Sequence, residues 1–67
     1  MSEIVRDPET MGGLPVFRGT RVLAKTLFDY LKAGDSVADF LDDFPSVSKE
    51  QVVSVLAEAE SRFELVE

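Results

Sequence analysis

A glycine- and proline-rich stretch from Gly12 to Val22 constrains the fold of this 67-residue chain more than any other feature. It reads Gly-Gly-Leu-Pro-Val-Phe-Arg-Gly-Thr-Arg-Val and holds three of the four glycines and one of the three prolines. Glycine weakens helices and strands, and proline is excluded from central strands. We therefore predict that residues 1–23 form a β-rich arm, whose structural turn residues are Gly12, Gly13, Pro15 and Gly19.

Residues 16–23 fit two geometries. In the first, Gly19-Thr20 is the two-residue type II′ loop of a β-hairpin, with glycine where φ must be positive. Arg18 then faces Arg21, and this repulsion across the strands requires a nearby acid or an outside anion. In the second, the stretch is one extended strand paired with another chain, and the two arginines point to opposite faces.

Residues 24–63 show helical periodicity in three segments. Gly34 is the expected C-cap of the first helix. Ser36 and Ser48 begin the second and third helices, and each is followed three residues later by a side chain that completes a capping box. Pro45 ends the second helix, so we expect helices of roughly nine, eight and sixteen residues. The predicted apolar stripe of the third helix consists of Val52, Val53, Val55, Leu56, Ala59 and Phe63.

These elements indicate one mainly α domain over residues 1–67, with an arm (1–23), a three-helix unit (24–63) and a tail (64–67). The short turn between the second and third helices is typical of a helix-turn-helix. A single core of this size is only marginally stable, and a chain without cysteine has no disulfide to support it. We therefore expect a homo-oligomer, with a dimer formed through the β-arm.

The composition excludes several classes of function. The chain has no His and no Cys, so the usual zinc ligands and the Ser-His and Cys-His catalytic pairs are absent. We predict no enzyme activity, metal or cofactor. The apolar runs are far too short for a membrane span, and we expect a cytoplasmic protein.

Charge is divided unevenly along the chain. Residues 1–25 carry four bases and three acids, whereas residues 26–67 carry three bases and ten acids. Because nucleic-acid affinity depends largely on Lys and Arg, any such binding must come from the first third. The compact basic group there would contact nucleic acid or the acids of a partner; alternatively, its arginines would pair with the chain's own acids, such as Asp29, Asp42 or Asp43. This basic group consists of Arg18, Arg21 and Lys25.

The third helix admits a recognition role, with Lys49, Gln51 and Ser54 presented to a DNA groove from its N-terminal end. The preceding helix carries Asp39, Asp42 and Asp43, which would repel phosphate, so we favour a packing helix with a solvated acidic face. Apolar residues of the arm and of the C-terminal end are the predicted contacts for a partner protein or a second subunit. They are Val16, Phe17, Phe63, Leu65 and Val66.

The stretch Asp7-Pro8-Glu9-Thr10-Met11-Gly12-Gly13-Leu14-Pro15-Val16-Phe17-Arg18-Gly19-Thr20-Arg21-Val22 resembles the signature of a small prokaryotic family. This is the domain of unknown function four hundred and thirty-three, a VapB-type antitoxin-like family. The shared pattern is Asp-Pro, then Gly-Gly-x-Pro, then Arg-Gly-Thr-Arg, and the resemblance extends from residue 4 to about residue 59. Leu14 stands where the family usually has Lys, and Leu23-Ala24 replaces its usual Pro-Val.

The resemblance implies a homeodomain-like fold with a β-arm, and the role of antitoxin in a type II toxin–antitoxin pair. The implied partner is a PIN-like ribonuclease toxin, with binding to operator DNA as a second, weaker activity. The acidic residues 26–67 would complement a basic RNA cleft. Arg18 or Arg21 would reach the carboxylates of the nuclease. The alternatives are a free-standing dimeric helix-turn-helix regulator and a structural interaction module.

Overall fold

In the computed structural model, which describes residues 2–63, a short N-terminal sheet precedes three α-helices. The elements are β1 (Ile4–Val5), β2 (Val16–Phe17), α1 (Ala24–Lys32), α2 (Val37–Asp43) and α3 (Lys49–Arg62). A tight 3-10 turn, Met11–Gly13, lies between the strands. The predicted mainly helical fold with an antiparallel arm is confirmed. A helix able to span a membrane is absent from residues 2–63.

Strand β2 lies between two other segments of the arm. On one side it pairs antiparallel with β1, with Ile4 opposite Phe17. On the other side the Phe17 N–H donates to the Val22 carbonyl at 3.0 Å, and Val16 lies opposite Leu23. The chain therefore folds back on itself in the register of the predicted hairpin, and the single extended strand is wrong. Both edges of β2 are occupied within the chain.

The reversal after β2 differs from the predicted type II′ loop. The Thr20 N–H donates to the Phe17 carbonyl at 3.0 Å, so the turn covers Phe17–Thr20 and begins one residue earlier than expected. Gly19 occupies the third position with φ +77°, which is where a type II turn requires glycine. The Thr20 hydroxyl donates to the Phe17 carbonyl at 2.9 Å and accepts from the Val22 N–H at 3.0 Å. These side-chain bonds stabilise the shifted turn.

The other predicted turn residues lie where the arm changes direction. Gly12 and Gly13 have φ values of +67° and +84° and form the end of the 3-10 turn. Pro15 precedes β2, and its carbonyl accepts the Ala24 N–H at 3.0 Å. The arm is thereby connected to the first residue of α1.

Local signals determine where the helices begin and end. Ser36 and Ser48 are the N-caps of α2 and α3, and both capping boxes are formed in full. At the end of α1 the Asp35 N–H donates to the Tyr30 carbonyl at 2.9 Å, and Gly34 has φ +93°. The Gly34 N–H also donates to the Leu31 carbonyl, and the two hydrogen bonds together form a Schellman motif. The predicted caps are confirmed, although α2 and α3 are shorter than expected, at 7 and 14 residues.

The core joins the arm to the helices. Its buried cluster takes side chains from β2, from each helix and from the α2–α3 turn: Phe17, Leu27, Phe40, Val47, Val52 and Val55. The rings of Phe17 and Phe40 are 5.9 Å apart between centroids, in a tilted arrangement. The arm is therefore part of the core rather than an appendage.

Two predictions about apolar residues are wrong. Val53 and Phe63, both expected in the core stripe of the third helix, are 55% and 76% exposed. Beside Val53, its neighbour Val52 occupies the inward position on the helix. Val16 and Phe17, expected to contact a partner, are 2% and 0% exposed. In this fold both side chains are covered by the chain's own core.

Candidate functional site

A cluster of carboxylates covers the surface where the end of α1 meets α2. The Schellman turn places Asp35 beside the start of α2, and the helical repeat aligns Asp39 with Asp43. Together with Asp42 and Tyr30 they line a shallow depression. All four aspartates are exposed. We call this surface the acidic face, defined by Tyr30, Asp35, Asp39, Asp42 and Asp43.

Hydrogen bonds within the acidic face shift the pKa values of Tyr30 and Asp39. The Tyr30 hydroxyl donates to Asp43 Oδ2 at 2.5 Å, and this bond raises the pKa of Tyr30 above its usual 10.0. The Asp39 carboxylate accepts the Ser36 N–H at 3.1 Å, which lowers the pKa of Asp39 below 3.8. At neutral pH Tyr30 is therefore uncharged and Asp39 is ionised.

The acidic face has no basic partner among residues 2–63. The ion pairs in that part of the chain join Lys25 and Lys32 to Asp29, and Arg62 to Glu58. Within the same residues no three acidic side chains are placed to share a metal ion. The arrangement is suited to attracting a basic macromolecule, because its carboxylates are exposed and their charge is not neutralised locally.

The structure separates Lys25 from the two arginines of the predicted basic group. Lys25 Nζ lies 2.8 Å from Asp29 Oδ2, one helical turn away, and this contact lowers the pKa of Asp29. Such pairing was expected of the two arginines, whereas in the structure it is Lys25 that pairs with one of the chain's own acids. Because Lys25 neutralises Asp29, it is less available to an outside anion.

Arg18 and Arg21 do not pair with Asp29, Asp42 or Asp43, and that alternative is wrong for both arginines. No ion pair to either guanidinium is present among residues 2–63. Arg18 Nη2 instead donates to the Ser2 carbonyl at 2.5 Å, because the β1–β2 pairing brings the N-terminal segment alongside it. Arg21 is exposed. The two arginines therefore differ, since only Arg18 is held by the backbone of the arm.

Gln51 connects α3 to the arm. Its Oε1 accepts the Ser48 N–H at 3.0 Å, and its Nε2 donates to Glu3 Oε1 at 3.2 Å and to the Arg18 carbonyl at 3.0 Å. A side chain with all these contacts is not free to read a DNA groove, whereas Lys49 and Ser54 remain exposed. The capping-box spacing predicted the first contact but contained no signal for the other two.

Ser2 is a structural residue that sequence reasoning missed. Its hydroxyl donates to Glu58 Oε1 at 2.9 Å and accepts the Ile4 N–H at 3.0 Å. The partners Ser2 and Glu58 are 56 residues apart, so no local pattern indicates the contact. Among the predicted docking residues, Phe63 is 76% exposed, and Leu65 and Val66 lie outside the described residues.

Comparison with known proteins identifies the class to which this chain belongs. It is a member of the family described as protein of unknown function DUF433, whose model matches residues 4–59. The family inferred above from the Gly-Gly-x-Pro and Arg-Gly-Thr-Arg pattern is confirmed, and its description names no antitoxin role.

A curated relative is the uncharacterized protein y4eO of Sinorhizobium fredii (strain NBRC 101917 / NGR234), which is 38% identical over 58 residues. The alignment covers 84% of this chain and 26% of the relative, so the chain spans about a quarter of that protein's length. No solved structure matches the chain.

Proposed function

We propose that this protein is an antitoxin-like protein that binds and neutralises a PIN-like ribonuclease toxin. The acidic face is the observation that carries the proposal. Its four exposed aspartates have no basic partner among residues 2–63, and the Tyr30–Asp43 bond orders one edge of the surface. A nuclease that binds RNA presents a basic cleft, and a fixed anionic surface complements such a cleft.

Binding at the cleft would inhibit by competition with RNA. Carboxylates on the acidic face would take the positions of RNA phosphates against the basic side chains of the nuclease. Complementary charge also accelerates the encounter of the two proteins, and this acceleration weakens as salt screens the charges. Neutralisation would then depend on both affinity and ionic strength.

Arg21 is the better candidate for reaching the metal-binding carboxylates of the nuclease. Arg18 is held by the Ser2 carbonyl and would have to break that bond first. Arg21 is exposed and forms no ion pair within residues 2–63. We therefore expect Arg21→Ala to weaken neutralisation more than Arg18→Ala. If neither substitution changes binding or neutralisation, the arginine contact is wrong.

The proposal is tested by co-expressing the chain with a PIN-like nuclease encoded beside it and measuring affinity and RNA cleavage. Asp42→Lys reverses one charge of the acidic face, and we expect it to weaken binding about tenfold or more. Glu9→Lys makes the same charge change on the exposed part of the arm and serves as the matched control. Equal effects of the two variants would mean that net charge matters and the acidic face does not.

The alternative, a dimeric helix-turn-helix DNA-binding regulator, requires α3 and α2 to approach phosphates. The exposed start of α3 offers Lys49 but also Glu50, and α2 adds Asp39, Asp42 and Asp43. We therefore expect DNA affinity to be weak for the chain alone. Tight binding to its upstream DNA with steep salt dependence would favour the regulator. If a pull-down from native cells recovers partner proteins but no nuclease, the structural interaction module is favoured.

A further inference from the structure

One side of α3 faces away from the core and carries a regular row of exposed residues. They follow one another at intervals of four, four and three positions, which places them on one side of a helix. Val53 is 55% exposed in the middle of this row, next to the small residue Ala57. We call this row the α3 outer stripe, defined by Lys49, Val53, Ala57 and Glu60.

We propose that a second copy of this chain binds antiparallel across the α3 outer stripe. The reason is charge complementarity within the stripe. Lys49 lies at its N-terminal end and Glu60 at its C-terminal end, and neither belongs to the ion pairs found among residues 2–63. A two-fold interface uses the same surface on both copies, so each Lys49 faces Glu60 of the other copy.

The same alignment brings the apolar centre of the stripe together. With Lys49 opposite Glu60, Val53 lies opposite Leu56 and Ala57 of the second copy. Lys49, Glu50, Val53 and Ser54 line a shallow depression on the N-terminal half of α3, which the C-terminal half of the other helix would cover. Small side chains such as Ala57 allow the two helices to approach closely. Apolar contact and two ion pairs thus coincide in one register.

This surface is also more accessible than the arm, where a dimer was expected. Both edges of β2 are occupied within the chain, and Val16 and Phe17 are buried. The stripe requires no rearrangement of the fold. A helix of 14 residues is about 21 Å long, so the contact is smaller than a standard interface of about 800 Å² per copy. We therefore expect a dissociation constant in the micromolar range or weaker.

Sedimentation equilibrium of the full chain, from about 10 µM to about 1 mM, tests the dimer. We expect a monomer–dimer equilibrium that Val53→Asp weakens at least about tenfold, because each new carboxylate would be buried without a partner against Leu56 and Ala57 of the other copy. Leu14→Asp is the matched control, since Leu14 is 51% exposed and lies off the stripe, and it should leave the equilibrium unchanged. Circular dichroism confirms that each variant is folded.

Charge exchange provides a test that does not depend on Val53. Lys49→Glu and Glu60→Lys should each weaken the dimer severalfold, and the double variant should restore it, because the ion pairs are rebuilt with reversed polarity. A monomer at every concentration overturns the proposal. A dimer that is insensitive to Val53→Asp, or one that the double variant fails to restore, also overturns it and assigns association to another surface. The proposal does not depend on a nuclease partner.

Discussion

The arm, residues 2–23, and the three-helix unit, residues 24–63, are stabilised in different ways. The start of α2, the start of α3 and the end of α1 rest on contacts between residues no more than five positions apart, in the two capping boxes and the Schellman motif. The arm depends on contacts with distant residues. Gln51 Nε2 bonds to the Arg18 carbonyl across 33 positions, and the Ser2 hydroxyl bonds to Glu58 across 56.

This difference explains which functional residues could be distinguished from sequence. Arg18 and Arg21 belong to one motif and have the same chemistry. They differ in the structure because the arm places the Ser2 carbonyl beside Arg18, while Arg21 remains exposed. The local motif therefore identified the pair, and distant contacts separated its members.

The largest effect should come from the core residue that the two regions share. Phe40 is fully buried and contacts Phe17 of the arm, so Phe40→Ala should cost about 3–5 kcal/mol and unfold much of the population. Chemical denaturation followed by circular dichroism measures the loss. Phe63→Ala is the control, because its side chain is 76% exposed. Helices that stay fully stable in Phe40→Ala while the arm detaches would show that the two regions fold independently.

Gln51→Ala should affect both regions, at a cost of about 1–3 kcal/mol, because it removes a helix cap and two bonds to the arm. Ser48→Ala removes a cap on the same helix without touching the arm and should cost about 1 kcal/mol. The two variants are distinguished by hydrogen exchange at the Arg18 amide, which donates to the Glu3 carbonyl at 2.7 Å. We expect faster exchange there in Gln51→Ala only. Equal exchange in both variants would contradict the bridging role.

Ser36→Ala should have a local effect of about 1 kcal/mol, because it removes the N-cap of α2. The Ser36 N–H also holds the pKa of Asp39 below its usual 3.8. The stabilisation that the ionised Asp39 carboxylate provides through this hydrogen bond is complete above pH 3.8. It is lost as the pH falls through the lowered pKa. Denaturation midpoints of wild type and Asp39→Asn, measured as the pH is lowered, should therefore converge in acid. A constant difference between them would contradict the carboxylate cap.

The smallest effect should come from Tyr30→Phe, which removes a hydrogen bond on an exposed surface. Because the pKa of Tyr30 is raised, the stabilisation from its hydrogen bond to Asp43 is complete below pH 10.0. It is lost as the pH rises through the pKa of Tyr30 in the folded protein. Tyr30 is the single tyrosine of the chain, so tyrosinate absorbance reports its ionisation directly. We expect a titration midpoint above 10.0, which should fall towards 10.0 in Asp43→Asn. An unchanged midpoint would rule out the bond to Asp43.

Part of the candidate site could be predicted from the sequence. Asp39, Asp42 and Asp43 were recognised as acids of the second helix that would repel phosphate, and the fold places all three in the acidic face. Tyr30 and Asp35 were not assigned to that surface, because their positions depend on how α1 packs against α2. Val53 was assigned to the core, since apolar spacing alone could not show which edge of the stripe remains exposed.

The sequence by itself determined the three helices, their caps and the presence of a bent arm. Capping boxes, the Gly34 turn and the glycines of the arm act within a few residues, so their energetics can be read locally. Tertiary structure decided the position of the β2 turn, the burial of Val16 and Phe17, and the different surroundings of Arg18 and Arg21. Each of these depends on which distant segment supplies the neighbouring hydrogen-bond partner or apolar surface. The spacing of residues along the chain does not indicate which segment that is.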